Sequence, residues 1–136
     1  MLDTCATANF ITNGLAKTLN CITRPCNVQI GAVNNLSTKS SKLAELTIHS
    51  INSNFSKQIQ CYVIPSISNA EPSESFSRDL IKISKTISLA DPNFHVARPV
   101  DILLGSGPTI ALLQSNRIKL TANASDLFCK KLSWVG

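Results

Sequence analysis

One stretch near the start of the chain constrains the fold more than any other. Residues 2–11 read LDTCATANFI, so an apolar residue leads into Asp3-Thr4, small residues follow, and the stretch ends in Phe10 and Ile11. An aspartate followed by small residues suits a loop whose carboxylate does acid–base chemistry and leaves room for a backbone to approach. An Asp-Thr pair also commonly caps a turn or a helix, because its side-chain oxygens accept hydrogen bonds from nearby backbone N–H groups. Taken alone, the pair leaves both interpretations open.

Two further segments suit a mainly β domain. Residues 28–35 read VQIGAVNN, and Gly31 and the two asparagines tolerate the positive φ that a hairpin tip requires. Such a tip occurs in an ordinary hairpin as readily as in a hairpin that covers a binding site. Residues 100–105 read VDILLG, in which the apolar run at residues 102–104 is closed by glycine, a pattern typical of a buried strand.

Alternating apolar side chains predict a hairpin in the middle of the chain. Residues 43–51 and 55–64 read as two strands, with a turn at residues 52–54 between them. One face of the second strand carries side chains suited to a core. These are Phe55, Ile59, Cys61 and Val63.

Two segments have a helical pattern. Residues 12–19 predict a short helix capped by Thr12 or Asn13. Residues 79–88 form an amphipathic pattern that predicts a second short helix, although its isoleucines also suit a strand. Residues 65–77 are rich in Ser, Pro, Asn and Glu, so they predict a loop.

A specific resemblance covers nearly the whole chain. Residues 89–95 read LADPNFH and are followed by PVDILLG at residues 99–105, and the chain ends in LSWVG at residues 132–136. Together with the LDTCATANFIT segment, this series resembles the protease region of BEL/Pao-type LTR retrotransposon polyproteins, a retropepsin-like aspartic peptidase. A resemblance between motifs is a hypothesis, and the structure around the motifs has to support it.

The resemblance implies a catalytic loop formed by Asp3, Thr4 and Cys5, in which Cys5 stands where the family has glycine. Two carboxyls about 3 Å apart cannot both ionise, so they share one proton. One then acts as the base that takes a proton from water, and the other as the acid that protonates the peptide carbonyl. The resemblance also implies a substrate-binding flap at Gly31, Ala32, Val33 and Asn34. Within the catalytic loop we expect the Thr4 hydroxyl to brace the backbone, and the resemblance implies that the apolar-apolar-Gly strand at residues 100–105 braces the loop from outside.

The family fold is mainly β: a closed or folded β-barrel with a flap hairpin and one or two short helices. By the resemblance, residues 1–136 form a single retropepsin-like domain without its N-terminal strand, because Met1 and Leu2 are too few to make one. The chain has one Asp-Thr loop, so an active enzyme needs two chains that each donate Asp3 across a two-fold axis. We therefore expect a homodimer acting on a polypeptide substrate, with no cofactor and no metal.

Composition bears on the binding partners and the cellular location of the protein. The net charge of +5 is spread along the chain without interleaved aromatics, which predicts a solvated surface and argues against nucleic acid as a partner of this domain. We expect no membrane partner, because the sequence has no run of 18 apolar residues and no leader pattern. Five cysteines without metal-ligand spacing predict reduced thiols in an intracellular, cytoplasmic protein.

Two functions from different classes remain open. The first is an aspartic endopeptidase of a retrotransposon polyprotein. The second is a catalytically inactive retropepsin-fold remnant that acts at most as a dimerisation or peptide-binding module. Cys5 bears on the choice, because a thiol adds bulk where glycine allows close backbone approach, yet it is small and only a weak hydrogen bonder.

Overall fold

A computed structural model describes residues 1–31, 37–50, 54–84, 86–119 and 128–132 of the chain. The strands are β1 (Phe10–Thr12), β2 (Ile22–Gly31), β3 (Ser37–His49), β4 (Ser56–Ile64), β5 (Ile102–Leu103), β6 (Leu113–Lys119) and β7 (Phe128–Leu132). The helices are α1 (Asn13–Thr18) and α2 (Ser106–Leu112), and a 3₁₀ turn spans Arg78–Leu80. The mainly β prediction is confirmed.

The main sheet has five strands in the order β2-β3-β4-β1-β5. Strands β2, β3 and β4 form an antiparallel meander, whereas β1 runs parallel to β4 and antiparallel to β5. Strands β6 and β7 pair with each other in a separate two-stranded sheet. The five-stranded sheet is open within the described ranges, so the finer prediction of a retropepsin-like barrel stays a prediction.

The predicted hairpin in the middle of the chain is confirmed. Strands β3 and β4 pair from Leu43 opposite Tyr62 to His49 opposite Ser56. The turn was predicted at residues 52–54, of which 52 and 53 lie outside the described residues. The predicted inward face is also correct, since Ile59, Cys61 and Val63 are buried and Phe55 packs against them.

Strand β3 begins at Ser37, six residues before the predicted start at Leu43. This first part is polar and carries no apolar alternation, so the sequence pattern did not reveal it. This segment forms a strand because it pairs with β2, so that the backbone N–H and C=O groups of the two strands bond each other. Ser40 is its one buried side chain, with its hydroxyl 2.9 Å from the carbonyl oxygens of Lys42 and Val63.

The first predicted helix and its cap are confirmed. Helix α1 follows Thr12, whose hydroxyl accepts a hydrogen bond from the Leu15 N–H at 3.3 Å. The same hydroxyl donates to Asp101 Oδ1 at 2.7 Å. Thr12 therefore joins the end of β1, the start of α1 and the residue just before β5.

The second predicted helix, at residues 79–88, is wrong. The 3₁₀ turn at Arg78–Leu80 ends at Ile81, whose backbone is already extended at φ −116° and ψ 109°. The described residues that follow form bends and turns. Two local features explain this: Ser77 makes no side-chain capping bond, and β-branched isoleucines lose side-chain freedom in a helix.

One hydrophobic core joins the sheet to both helices. Its buried members are Ile11, Ala16, Ala44, Ile59, Cys61, Val63, Leu104 and Leu112. Among them Cys61 is fully buried, and this burial, together with nearby Cys21, raises the pKa of the Cys61 thiol from 9.0 to about 12.

We expect Cys61 to make the protein less stable as the pH rises from 9 towards 12. In this window the thiol ionises in the unfolded chain but stays neutral when folded, so the free energy of unfolding falls by up to ~1.4 kcal/mol per pH unit. Urea titrations of the parent and of Cys61→Val at several pH values test this, since other titrating groups affect both alike. Equal pH slopes for the two proteins would contradict the assignment.

Candidate functional site

The Asp-Thr loop lies against the end of β5. The Asp3 N–H donates to the Leu104 carbonyl at 2.9 Å, and the Leu104 N–H donates to the Met1 carbonyl at 2.9 Å. Leu2 thereby forms a parallel bridge with Leu104. The backbones of Met1 and Leu2 are thus paired with the end of β5 by a short bridge. Leu103 and Leu104 are buried beside the loop, as the apolar run predicted.

The Asp3 carboxylate has a fixed local contact. Its Oδ1 accepts a hydrogen bond from the Cys5 N–H at 2.8 Å, so the loop turns back over the aspartate side chain. The side chain of Asp3 is half-buried. A carboxylate held by a backbone N–H two residues further on is pre-oriented, and its other oxygen has no hydrogen-bond partner among the described residues.

Thr4 and Cys5 are both exposed. Within the described ranges Thr4 forms no hydrogen bond, so the expected bracing of the loop by its hydroxyl is absent from the single chain. Cys5 contributes its backbone N–H to Asp3 and keeps a free thiol. The structure therefore joins two of the three predicted catalytic residues and leaves the Thr4 side chain facing solvent.

Gly105 lies too close to the loop to carry a side chain. A Cβ atom at this position would lie 2.5 Å from the Ala8 carbonyl oxygen and 2.8 Å from that of Ala6. The next residue, Ser106, donates its N–H to the same Ala6 carbonyl at 2.7 Å. Because both obstructing atoms belong to the backbone, glycine is the residue that this contact requires.

Asn9 closes the loop at its other end. Its Oδ1 accepts from the Gly105 N–H at 2.9 Å, and its Nδ2 donates to the Gln60 carbonyl at 2.9 Å. Its own carbonyl accepts from the Tyr62 N–H at 2.9 Å. Sequence analysis placed Asn9 inside the motif but gave it no role, since a backbone-to-side-chain contact 96 residues apart leaves no local pattern.

The predicted flap is described only at its first residue. Gly31 ends β2, and a Cβ there would meet no atom within 4 Å. Ala32, Val33 and Asn34 lie outside the described residues. The substrate-binding flap and its position relative to Asp3 therefore stay predictions.

An open groove of about 500 Å³ lies beside the far end of the loop. Its walls come from the loop, from β4 and from the start of α2. They include Thr7, Ala8, Asn9, Gln60, Tyr62 and Pro108. Asp3 does not line this groove, so the groove offers space beside the loop and not at the carboxylate itself.

In the described part of the chain, no three His, Cys, Asp or Glu side chains come together as metal ligands. Neither helix of that part is long and apolar enough to cross a membrane.

The chain was compared with models of protein families, with curated proteins and with solved structures, and nothing matches it. The resemblance to BEL/Pao-type proteases therefore rests on the sequence motifs alone and remains a prediction.

Proposed function

We propose that this chain is an aspartic endopeptidase of the retropepsin-like kind, acting on a polypeptide such as a retrotransposon polyprotein. The observation that carries the proposal is the placement of Asp3. Its carboxylate is oriented by the Cys5 N–H, and its backbone is bonded to the buried end of β5. An Asp-Thr loop braced by an apolar-apolar-Gly strand is the arrangement that the sequence resemblance leads one to expect.

The chemistry needs two such loops. In a homodimer, the two Asp3 carboxyls face each other across the two-fold axis and share one proton. The ionised carboxylate removes a proton from a water molecule, and the water oxygen forms a bond to the peptide carbonyl carbon. The protonated carboxyl gives its proton to the carbonyl oxygen. The resulting tetrahedral intermediate then breaks its C–N bond. The carboxyl that took the proton from water gives it to the leaving amine, and a hydroxyl of the intermediate returns its proton to the other carboxylate as the C=O bond re-forms.

The described contacts suit this division of labour. The Cys5 N–H bonds one Asp3 oxygen, and the other, which no described residue contacts by a hydrogen bond, can accept from water or from the second aspartate.

A peptide-library assay tests the proposal. We expect cleavage to be fastest at mildly acidic pH, where the pair carries one proton, and to be blocked by inhibitors that present a hydroxyl in place of the scissile carbonyl. Below the dimer dissociation constant, the rate per chain is expected to rise with protein concentration. Cleavage that these inhibitors do not block, at a rate per chain that does not depend on protein concentration, would contradict the proposal.

The alternative is a catalytically inactive remnant that dimerises or binds peptides. Two observations favour it: Cys5 replaces the family's glycine, and Thr4 forms no hydrogen bond within the described ranges. Such a protein would still bind peptides without hydrolysing them.

Replacing Cys5 by glycine separates the two functions. The Cys5 side chain is exposed and its N–H, which glycine keeps, makes the bond to Asp3. We therefore expect Cys5→Gly to keep or raise the cleavage rate of an active enzyme, as measured by kcat/KM on the same peptide. Cys5→Ser, which keeps the bulk, serves as the control. If neither the parent nor Cys5→Gly cleaves any peptide, the remnant is the correct interpretation.

A further inference from the structure

We propose that Asn9 is the positioning residue of the Asp3 loop, an inference that rests on the proposed peptidase function. Asn9 is the last residue before β1. Its side chain joins two segments remote in sequence, with Oδ1 accepting from the Gly105 N–H and Nδ2 donating to the Gln60 carbonyl, both at 2.9 Å. A single amide thus ties the loop to β4 and to the start of α2.

The side-chain amide suits this place because it offers an acceptor and a donor at the same reach. Gly105 is the N-cap of α2, and its N–H is not part of the helical hydrogen bonding, so it needs an acceptor from elsewhere. Gln60 belongs to β4 and presents a carbonyl that needs a donor. An ionised aspartate at position 9 supplies only acceptors, and alanine supplies neither group.

The same short segment that Asn9 holds also carries the anchors of the catalytic loop. Leu104 accepts from the Asp3 N–H, and Ser106 donates to the Ala6 carbonyl at 2.7 Å. Gly105 lies between them, so a shift of its backbone moves both anchors. The Asp3 carboxylate would then move relative to its two-fold partner, and small displacements of reacting groups lower turnover by about a hundredfold.

Three variants separate positioning from general stabilisation. Asn9→Ala removes both side-chain bonds, and Asn9→Asp keeps an acceptor for Gly105 while removing the donor to Gln60. Ser40→Ala is the matched control, since its buried hydroxyl contacts two carbonyl oxygens in β3 and β4 away from the loop.

We expect Asn9→Ala to lower kcat by about tenfold to a hundredfold with a smaller change in KM. The pH profile of kcat should shift as well, because the sharing of one proton depends on the separation of the two carboxyls. Asn9→Asp should fall between alanine and the parent. Ser40→Ala should lower the unfolding midpoint and leave kcat and its pH profile unchanged. Equal kcat and equal profiles for the parent and Asn9→Ala would overturn the inference.

Amide hydrogen exchange gives a readout that does not need activity. In Asn9→Ala we expect the amides of Gly105, Ser106 and Cys5 to exchange at least about tenfold faster than in the parent, with no change in Ser40→Ala. A parent that cleaves no peptide would contradict the proposed function, and the exchange rates would still test whether Asn9 holds the loop in place. Identical exchange at these amides in all variants would exclude that role for Asn9.

Discussion

Replacing Asp3 by asparagine is expected to abolish peptide cleavage while leaving the fold intact. The amide cannot act as a base and cannot share a proton with its partner, so kcat should fall by about 10²–10⁴-fold or more. Stability should change little, because asparagine keeps an Oδ1 that accepts the Cys5 N–H. Turnover on one peptide, with the unfolding midpoint measured in parallel, checks both parts.

Asp101→Asn is the control for this experiment. Asp101 is exposed, and its Oδ1 accepts one hydrogen bond, from the Thr12 hydroxyl, that asparagine can also accept. The two changes therefore match in chemistry and differ in position. Cleavage retained in Asp3→Asn, or lost equally in both variants, would exclude Asp3 as the catalytic group.

Gly105→Ala is expected to destabilise the protein and to disturb the loop. The added Cβ would lie 2.5 Å from the Ala8 carbonyl oxygen and 2.8 Å from that of Ala6, and backbone atoms cannot give way as a flexible side chain does. Overpacking of this kind costs about 1–3 kcal/mol. In a small domain with ~5–15 kcal/mol of stability, this loss is readily measured as a lower urea midpoint.

Gly107→Ala provides the control two residues away. Gly107 lies in the first turn of α2, and a Cβ there meets no atom within 4 Å. Neither glycine has a positive φ, so backbone conformation does not distinguish them. We expect Gly107→Ala to be neutral or stabilising by about 0.5–1 kcal/mol, since alanine favours helix. If both variants had the same urea midpoint, the inference that Gly105 closely contacts the loop would be wrong.

The features that the sequence predicted correctly depend on local chemistry. The Thr12 cap requires only a hydroxyl within reach of the Leu15 N–H, three residues on. The hairpin of β3 and β4 follows from alternating side chains on neighbouring segments. The buried run at Leu103 and Leu104 is apolar throughout, which leaves little choice of environment.

The errors occurred where distant segments decide the structure. The polar start of β3 at Ser37 becomes a strand through its pairing with β2. Strands β6 and β7 were not predicted, and each likewise depends on the other for its hydrogen bonds. At residues 79–88, spacing alone suggested a helix, although the segment lacks a capping bond and contains β-branched isoleucines.

The candidate site shows the same division. The sequence predicted a site at Asp3 and a buried strand at Leu103 and Leu104, because both belong to recognisable motifs. It did not indicate that Asn9 and Gly105 hold the loop from the other side, since that contact joins residues 96 positions apart. Nor did the sequence reveal that Thr4 faces solvent in the single chain.

Mixing parent and Asp3→Asn chains tests the central claim most directly, because it asks whether each active site contains two Asp3 residues from different chains. Cleavage is measured at constant total protein while the fraction of parent chain is varied, after subunits have been allowed to exchange. If only parent homodimers are active, the rate should fall as the square of the parent fraction. A rate that falls in simple proportion to that fraction, or a parent chain without cleavage at any concentration, would contradict the account.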